Sequence, residues 1–332
     1  MSDLCQIAKN IYAEYGQQKE MGSSPDNFAK PYFFLLRTFL GENDLLAILL
    51  TKRCRFNCAF CQLPANKPRK LISGANIEKQ FEHILYETKH ALSILDRITL
   101  SNDGSVLDSR TFPETALYSI ADAIREIRRV KTLVIETRLE FVKNDVIRNL
   151  QGLLPKTSID ILTGFETYDD RIREKILSKE ETVQQFLSRL DVVAELNLKL
   201  TCYVLYKPDP SMNDLDAYQE ANRTVDFLIH ECKLREIPLT LRLNPMYLAS
   251  GSRLAASVDI RKYNPPKLSD IMRLAEEKKP LCNYIYIGLS TESLSIPENT
   301  YAAREDYSSK LIKPILLFNN RKISHFNWAE LV

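Results

Sequence analysis

The chain has 332 residues, 45% hydrophobic and 27% charged, which suits a globular protein large enough for one barrel or two ordinary domains and excludes a disordered one. Lysine and arginine number 45 against 43 acidic residues, so the formal charge of +2 excludes a wholly basic nucleic-acid coat and leaves only a local basic patch open. None of the 9 glycines form GxGxxG or GxxxxGK(S/T), which removes the two common glycine-rich phosphate cradles. The longest apolar run, Leu45–Leu50, falls far short of the roughly 20 residues that span a bilayer. The polar start, Met1-Ser2-Asp3-Leu4-Cys5-Gln6, lacks the basic and apolar regions of a signal peptide. A cytoplasmic protein with no membrane partner is expected.

In chain order, residues 1–44 read as an N-terminal extension of helical character. Short apolar, β-branched runs then alternate with helix-length stretches. The expected strands are Leu45–Leu50, Arg97–Leu100, Thr132–Glu136, Ser158–Thr163, Lys199–Tyr206 and Leu239–Leu243. Their near-continuous apolar character is that of parallel strands covered on both faces. Pro113–Arg129 places Leu117, Ile120, Ala121, Ile124 and Ile127 on one helical face, with Pro113 suited to a first turn. Asn213–His230 does the same with Leu215, Tyr218, Ala221, Val225 and Leu228, and Asn213 is its N-cap candidate. Residues 244–332 add a loop with Pro265 and Pro266, a helix, and strand-like runs at Tyr284–Leu289 and Ile315–Phe318. Six βα units imply a complete or partial TIM-like barrel, although a doubly wound sheet gives a similar alternation.

Seven cysteines stand at 5, 54, 58, 61, 202, 232 and 282, an odd number with three crowded into eight positions. Clustered thiols in a reducing compartment point to metal or catalysis and not to a disulfide framework. Cys54-Arg55-Phe56-Asn57-Cys58-Ala59-Phe60-Cys61 is C-x3-C-x2-C directly after the first expected parallel strand. Three thiolates so spaced on a loop can hold three irons of a cubane and leave the fourth open for chemistry. The competing reading is a structural zinc staple in a binding or interaction protein, but such a site needs four ligands. No second cysteine pair and no HxxxH or HExxH pattern exists among His83, His90, His230 and His325.

The motif in this strand context resembles the radical S-adenosylmethionine (SAM) superfamily. The resemblance implies an α/β fold, a partial (βα)6 TIM-like barrel of parallel strands, with the helical extension at 1–44, the barrel at 45–255 and αβ additions at 256–332. It also implies that Cys54, Cys58 and Cys61 hold a 4Fe–4S cluster whose fourth iron is chelated by SAM, and that a flavodoxin- or ferredoxin-like donor supplies the electron. SAM contacts are then expected at strand ends. These are Ser101, Asp103 and Gly104 after the second strand, Glu136 and Arg138 after the third, Glu166 after the fourth, and Phe60 beside the adenine. Surface ion pairing is the alternative for Glu136, Arg138 and Glu166, and core packing for Phe60.

Within the superfamily, four segments look closest to the Elongator-catalytic-subunit-like branch and its archaeosine-forming enzymes. They are Gly104–Asp108, Glu136–Val142, Gly164–Thr167 with Asp170 and Arg173, and Tyr203–Pro208. That likeness implies a deazaguanine-type nucleoside or transfer RNA as substrate. A radical SAM enzyme of small-molecule or natural-product biosynthesis is the alternative, as is a cluster used for electron transfer or sensing. Leu139, Asp209 and Ser211 depart from the branch pattern and bear on the substrate. Lys52, Arg53 and Arg55, with Lys67, Arg69 and Lys70, are candidate phosphate contacts, or steer an anionic small substrate, or balance the cluster's charge. Tyr203 and Lys207 are the catalytic candidates. Strand alternation places them on one face, with Lys207 near the strand's C-terminal end and Glu166 among its possible partners.

Overall fold

The computed structural model describes residues 28–63, 67–289 and 309–331. Strand β1 (Phe33–Phe39) pairs antiparallel with β2 (Glu42–Ile48). The helical character expected for residues 1–44 is therefore absent from 33–44, and residues 1–27 lie outside the described part. The hairpin turn is Leu40-Gly41, with φ of 53° and 80°. Two successive positive φ values give the tight turn whose usual sequence signal is Asn-Gly or Asp-Gly. A leucine in the first position hid it.

Strands β3 (Arg97–Ser101), β4 (Thr132–Glu136), β5 (Ser158–Glu166), β6 (Lys199–Tyr206), β7 (Leu239–Pro245) and β8 (Tyr284–Ile287) follow, in an order along the sheet that is the order of the chain. β2 through β5 are paired in parallel, and so are β6, β7 and β8. Helices stand between them: α1 (Gly74–Glu87), α2 (Glu114–Arg125), α3 (Asn144–Leu153), α4 (Val183–Glu195), α5 (Asp214–Leu234), α6 (Arg253–Ser257), α7 (Leu268–Lys278) and α8 (Ser309–Asn319). All six expected parallel strands are present. β5 and β7 extend further than expected, to Glu166 and Pro245, because their last residues still pair or remain buried.

Helix α2 buries Leu117, Ile120, Ala121 and Ile124, with Pro113 in the N-cap position. Helix α5 begins where Asn213 Oδ1 accepts from Asp216 N at 2.9 Å, and it buries Ala217, Ala221, Val225 and Leu228. Leu215, counted in the apolar stripe, is 65% exposed. It stands two residues from Ala217, about 200° around the helix. The Ile315–Phe318 run is helical and not a strand: Ile315 and Phe318, three apart in α8, are both buried. So short an apolar run carries no period that separates the two states. Asn319 at the end of α8 closes β8, accepting from Ile287 N and donating to Ile287 O, both at 2.8 Å.

Two compact units emerge from the packing. Among the described residues, one comprises those up to Arg55, those within Leu63–Leu162 and Glu195–Lys199; the other comprises Phe56–Gln62, Thr163–Ala194 and those from Leu200 onward. In the second, Glu220 of α5 is buried, and its Oε1 accepts from the hydroxyls of Thr167 and Thr224 while Oε2 has no hydrogen-bond partner among the described residues. Burial pushes this carboxyl above the usual carboxylate range. A pKa raised on folding gives stability that is present at low pH and lost as pH climbs through the folded-state value. Glu220→Gln should therefore gain in Tm relative to the parent as pH rises from about 5 to about 8. A difference that stays constant over that range would remove the carboxyl from the pH dependence.

Candidate active site

In the first unit the ends of β3 and β4 are joined by side chains. Ser101, the last residue of β3, donates to Glu136 Oε2 at the end of β4 and accepts from Asp103 N at 3.1 Å. Asp103 sits at φ 55°, a left-handed position that aspartate tolerates better than most non-glycine residues. Its carboxylate is paired with Lys67, whose buried Nζ lies 3.2 Å from Asp103 Oδ2. The same ammonium reaches Leu49 O at 3.4 Å and stands 3.5 Å over the Tyr32 ring. Lys67, grouped by sequence with Arg69 and Lys70 as a phosphate contact, is instead part of the interior.

The next residue explains the single glycine of this turn. A Cβ on Gly104 would lie 3.1 Å from Cys54 Cβ and 3.5 Å from Cys54 Cα, so the turn after β3 rests directly on the first motif cysteine. Asn102 is buried beside it, donating to Thr51 Oγ1 at 3.1 Å, and its Oδ1 has no hydrogen-bond donor among the described residues. An amide oxygen held dry without a partner is costly unless a ligand supplies one. The sequence reading passed over Asn102 within Ser101–Ser105, since nothing in a lone asparagine marks an unpaired oxygen. Arg138, expected to face SAM, donates its backbone N–H to Ser105 Oγ at 3.1 Å and directs its guanidinium at Glu140, 3.1 and 3.2 Å away. Arg55 is likewise engaged, 3.3 Å from both Asp108 and Glu140 and stacked on Phe141.

In the second unit Ala59, the residue after Cys58, is anchored at both backbone groups. Ala59 N donates to Leu177 O at 2.7 Å, and Ala59 O accepts from Leu254 N at 2.9 Å. Its methyl packs with Ile172, Leu177, Leu205, Met246, Leu248, Leu254 and Tyr263, and Phe60 lies against the same cluster. Phe60 is thus at least partly a packing residue. Cys54, Cys58 and Cys61 are partly exposed, whereas Cys202 and Cys232 are buried, and burial pushes the Cys232 thiol up to about 12. Such a thiol is inert where a ligand must be a thiolate. Among the described residues no three or more histidine, cysteine, aspartate or glutamate side chains are grouped so as to hold a metal ion.

Two further strand ends in this unit are left-handed: Glu166 at φ 72° and Lys207 at φ 67°. Both are buried. Glu166 pairs with Lys179 Nζ at 3.4 Å and folds over Gly164, where a Cβ would overlap its carboxylate. Lys207 pairs with Asp214 at 3.6 Å, and not with Glu166. β6 ends at Tyr206, so the alternation expected to align Lys207 with Tyr203 stops one residue short. Tyr203 instead belongs to a cross-strand row with Arg242 and Tyr286, which are register neighbours on β6, β7 and β8. Arg242 Nη1 donates to Tyr203 Oη at 2.9 Å, and its guanidinium lies 4.5 Å from the Tyr203 ring centre and 5.1 Å from that of Tyr286. Arg242 and Tyr286 were missed because only strand register brings them beside Tyr203.

Parallel strands in chain order, interleaved with helices and ending in polar, strained turns, define an α/β enzyme of the partial TIM-barrel class. The family model of the radical SAM superfamily matches residues 48–218, just over half of the chain. The protein belongs to that superfamily and is a radical SAM enzyme. Among curated relatives, an uncharacterized protein of Methanocaldococcus jannaschii is 24% identical over 288 residues, 84% of this chain and 76% of that one. The archaeosine synthase subunit beta of Thermococcus kodakarensis is 21% identical over 265 residues, 77% of this chain and 78% of that one. The fold is similar to that of a spore photoproduct lyase variant with a dinucleoside spore photoproduct (TM-score 0.53, 16% identity, 73% of this chain and 76% of that one). It is also similar to Streptococcus suis SuiB bound to precursor peptide SuiA (TM-score 0.50, 15% identity), where it covers 96% of this chain and 60% of that one. Among the described residues no helix is long and apolar enough to cross a membrane.

Proposed function

We propose that Cys54, Cys58 and Cys61 ligate a 4Fe–4S cluster with SAM at the remaining iron, and that the substrate is a deazaguanine-like nucleoside or a transfer RNA carrying one. The observation that carries the cluster is the donor set. Three partly exposed thiols follow β2, and the turn after β3 lies close on Cys54, with a Cβ at 104 only 3.1 Å from Cys54 Cβ. Bound there, cluster and SAM would supply a 5′-deoxyadenosyl radical able to take hydrogen from an unactivated carbon; the protein contributes ligation, orientation and exclusion of water.

Asn102 Oδ1 would accept from the SAM amino group, with Ser101, Asp103 and Glu136 shaping that turn and Gly104 admitting the close approach. Phe60, Arg138 and Glu166 would border SAM, and Tyr203 and Lys207 the substrate. Asn102→Leu removes a buried amide oxygen that has no donor among the described residues. It should weaken SAM binding about tenfold, the value of one charge-assisted hydrogen bond, and leave iron content unchanged. Unaltered SAM affinity would take Asn102 out of the site.

A nucleic-acid substrate is supported by the archaeosine synthase subunits beta among the relatives, including one from Methanosarcina acetivorans, 22% identical over 182 residues, 55% of this chain and 51% of that one. Exposed cations add to this. Arg53 N donates to Pro68 O at 2.8 Å, which holds Lys52 and Arg53 next to Arg69 and Lys70. Arg53, Arg69 and Lys70 are exposed, as phosphate contacts must be. The deciding experiment gives anaerobic protein a flavodoxin- or ferredoxin-like donor, SAM and transfer RNA. Release of 5′-deoxyadenosine should rise with the RNA, and Arg69→Ala/Lys70→Ala should weaken RNA binding and flatten its salt dependence. Release indifferent to RNA but raised by a small metabolite would overturn the substrate.

A further inference from the structure

We propose that Arg173 is the positioning residue for the Cys58–Cys61 half of the cysteine loop, acting through the turn that follows β5. This rests on the reading that the loop binds a cluster. Arg173 is fully buried, and four of its guanidinium's five N–H donors are engaged within one unit. It donates to Phe165 O, to Thr167 O at 3.1 Å, to Glu181 O at 2.8 Å and to Glu181 Oε2 at 2.9 Å, and it lies 4.7 Å over the Phe165 ring. One side chain therefore clamps the end of β5 to Glu181.

The segment it spans includes a π-helical turn, Ile172–Ile176, whose wide bond runs from Leu177 N to Ile172 O at 2.9 Å. Such turns are rare and occur mostly as single turns, frequently at functional sites. The backbone of Arg173 adds a second tie, accepting from Lys179 N at 2.8 Å. What the turn presents is the Leu177 carbonyl, and that carbonyl receives Ala59 N, next to Cys58, at 2.7 Å. Ile172 and Leu177 also cover the Ala59 methyl. The chain of contacts from Arg173 to the thiol-bearing loop is thus two steps long and buried throughout.

Partners that orient metal ligands without touching the metal typically change its affinity 10–100-fold when lost. Arg173→Lys keeps the charge but cannot span three carbonyls and a carboxylate in one plane. In reconstituted protein it should release iron to a chelator about tenfold faster than the parent and alter the low-temperature EPR signal of the reduced cluster. Leu228→Ala, a cavity in α5 of the same unit, is the control; it should lower Tm but leave iron release and EPR signal as in the parent. If Arg173→Lys does not fold, Glu181→Gln carries the same test, since it weakens the clamp and leaves the arginine in place. Parental iron release and EPR signal in a folded Arg173→Lys or Glu181→Gln variant would overturn the inference alone. Failure of the unmodified protein to take up iron would overturn the cluster reading and this inference with it.

Discussion

Replacing Cys54, Cys58 or Cys61 with alanine should abolish iron uptake and SAM cleavage together. Each is one of three thiols in an eight-residue segment, and no other cysteine lies near them in sequence. A substitute from elsewhere is disfavoured chemically. Cys232 is buried with its thiol pushed up to about 12, and so is that of Cys282, so neither offers a thiolate near neutral pH. Cys202→Ala and Cys282→Ala should retain full iron content, measured by metal analysis on anaerobically reconstituted protein. Loss of iron in Cys202→Ala, or its retention in any of the three motif variants, would make the ligand assignment wrong.

The largest expected effect on stability is at Lys67. Its ammonium and the Asp103 carboxylate are both buried and 3.2 Å apart. Removing one member of such a pair leaves the other charge dry and uncompensated, at a cost of about 3–5 kcal/mol. Lys67→Met should lose stability of that order in denaturant titrations of the apoprotein. The double variant Lys67→Met/Asp103→Asn should recover most of it, because no bare charge remains. A loss below about 1 kcal/mol in the single variant, the range of exposed pairs, would mean that Lys67 reaches solvent.

The six parallel strands were legible because burial on both faces writes itself into the chain as β-branched apolar runs, and β4 and β6 begin and end where those runs do. The cysteine motif was legible because its donors are contiguous. The hairpin before it was not, since Leu40 adopts a turn geometry that sequence rules reserve for asparagine, aspartate and glycine. The same feature recurs at Glu166 and Lys207, two charged residues in left-handed conformation at the ends of β5 and β6, and the aspartate Asp103 takes the same conformation just beyond β3. Their side chains are held by ion pairs that strand alternation does not encode: Asp103 by Lys67, Glu166 by Lys179 and Lys207 by Asp214. Lys67 illustrates the consequence: a basic residue in a loop reads as surface until the carboxylate 36 positions later is placed against it. The row Tyr203, Arg242 and Tyr286 needed the register of three strands, and the Arg173 clamp needed the backbone carbonyls it fills; neither is encoded as a pattern of residue types.

The most direct test of the central claim is metal analysis with visible and EPR spectra of the unmodified protein, purified without oxygen and reconstituted with iron and sulfide. A brown protein with about four irons per chain, an EPR signal on reduction that changes when SAM is added, and no stoichiometric zinc is the predicted result. A colourless protein that holds one zinc per chain and refuses iron would contradict it.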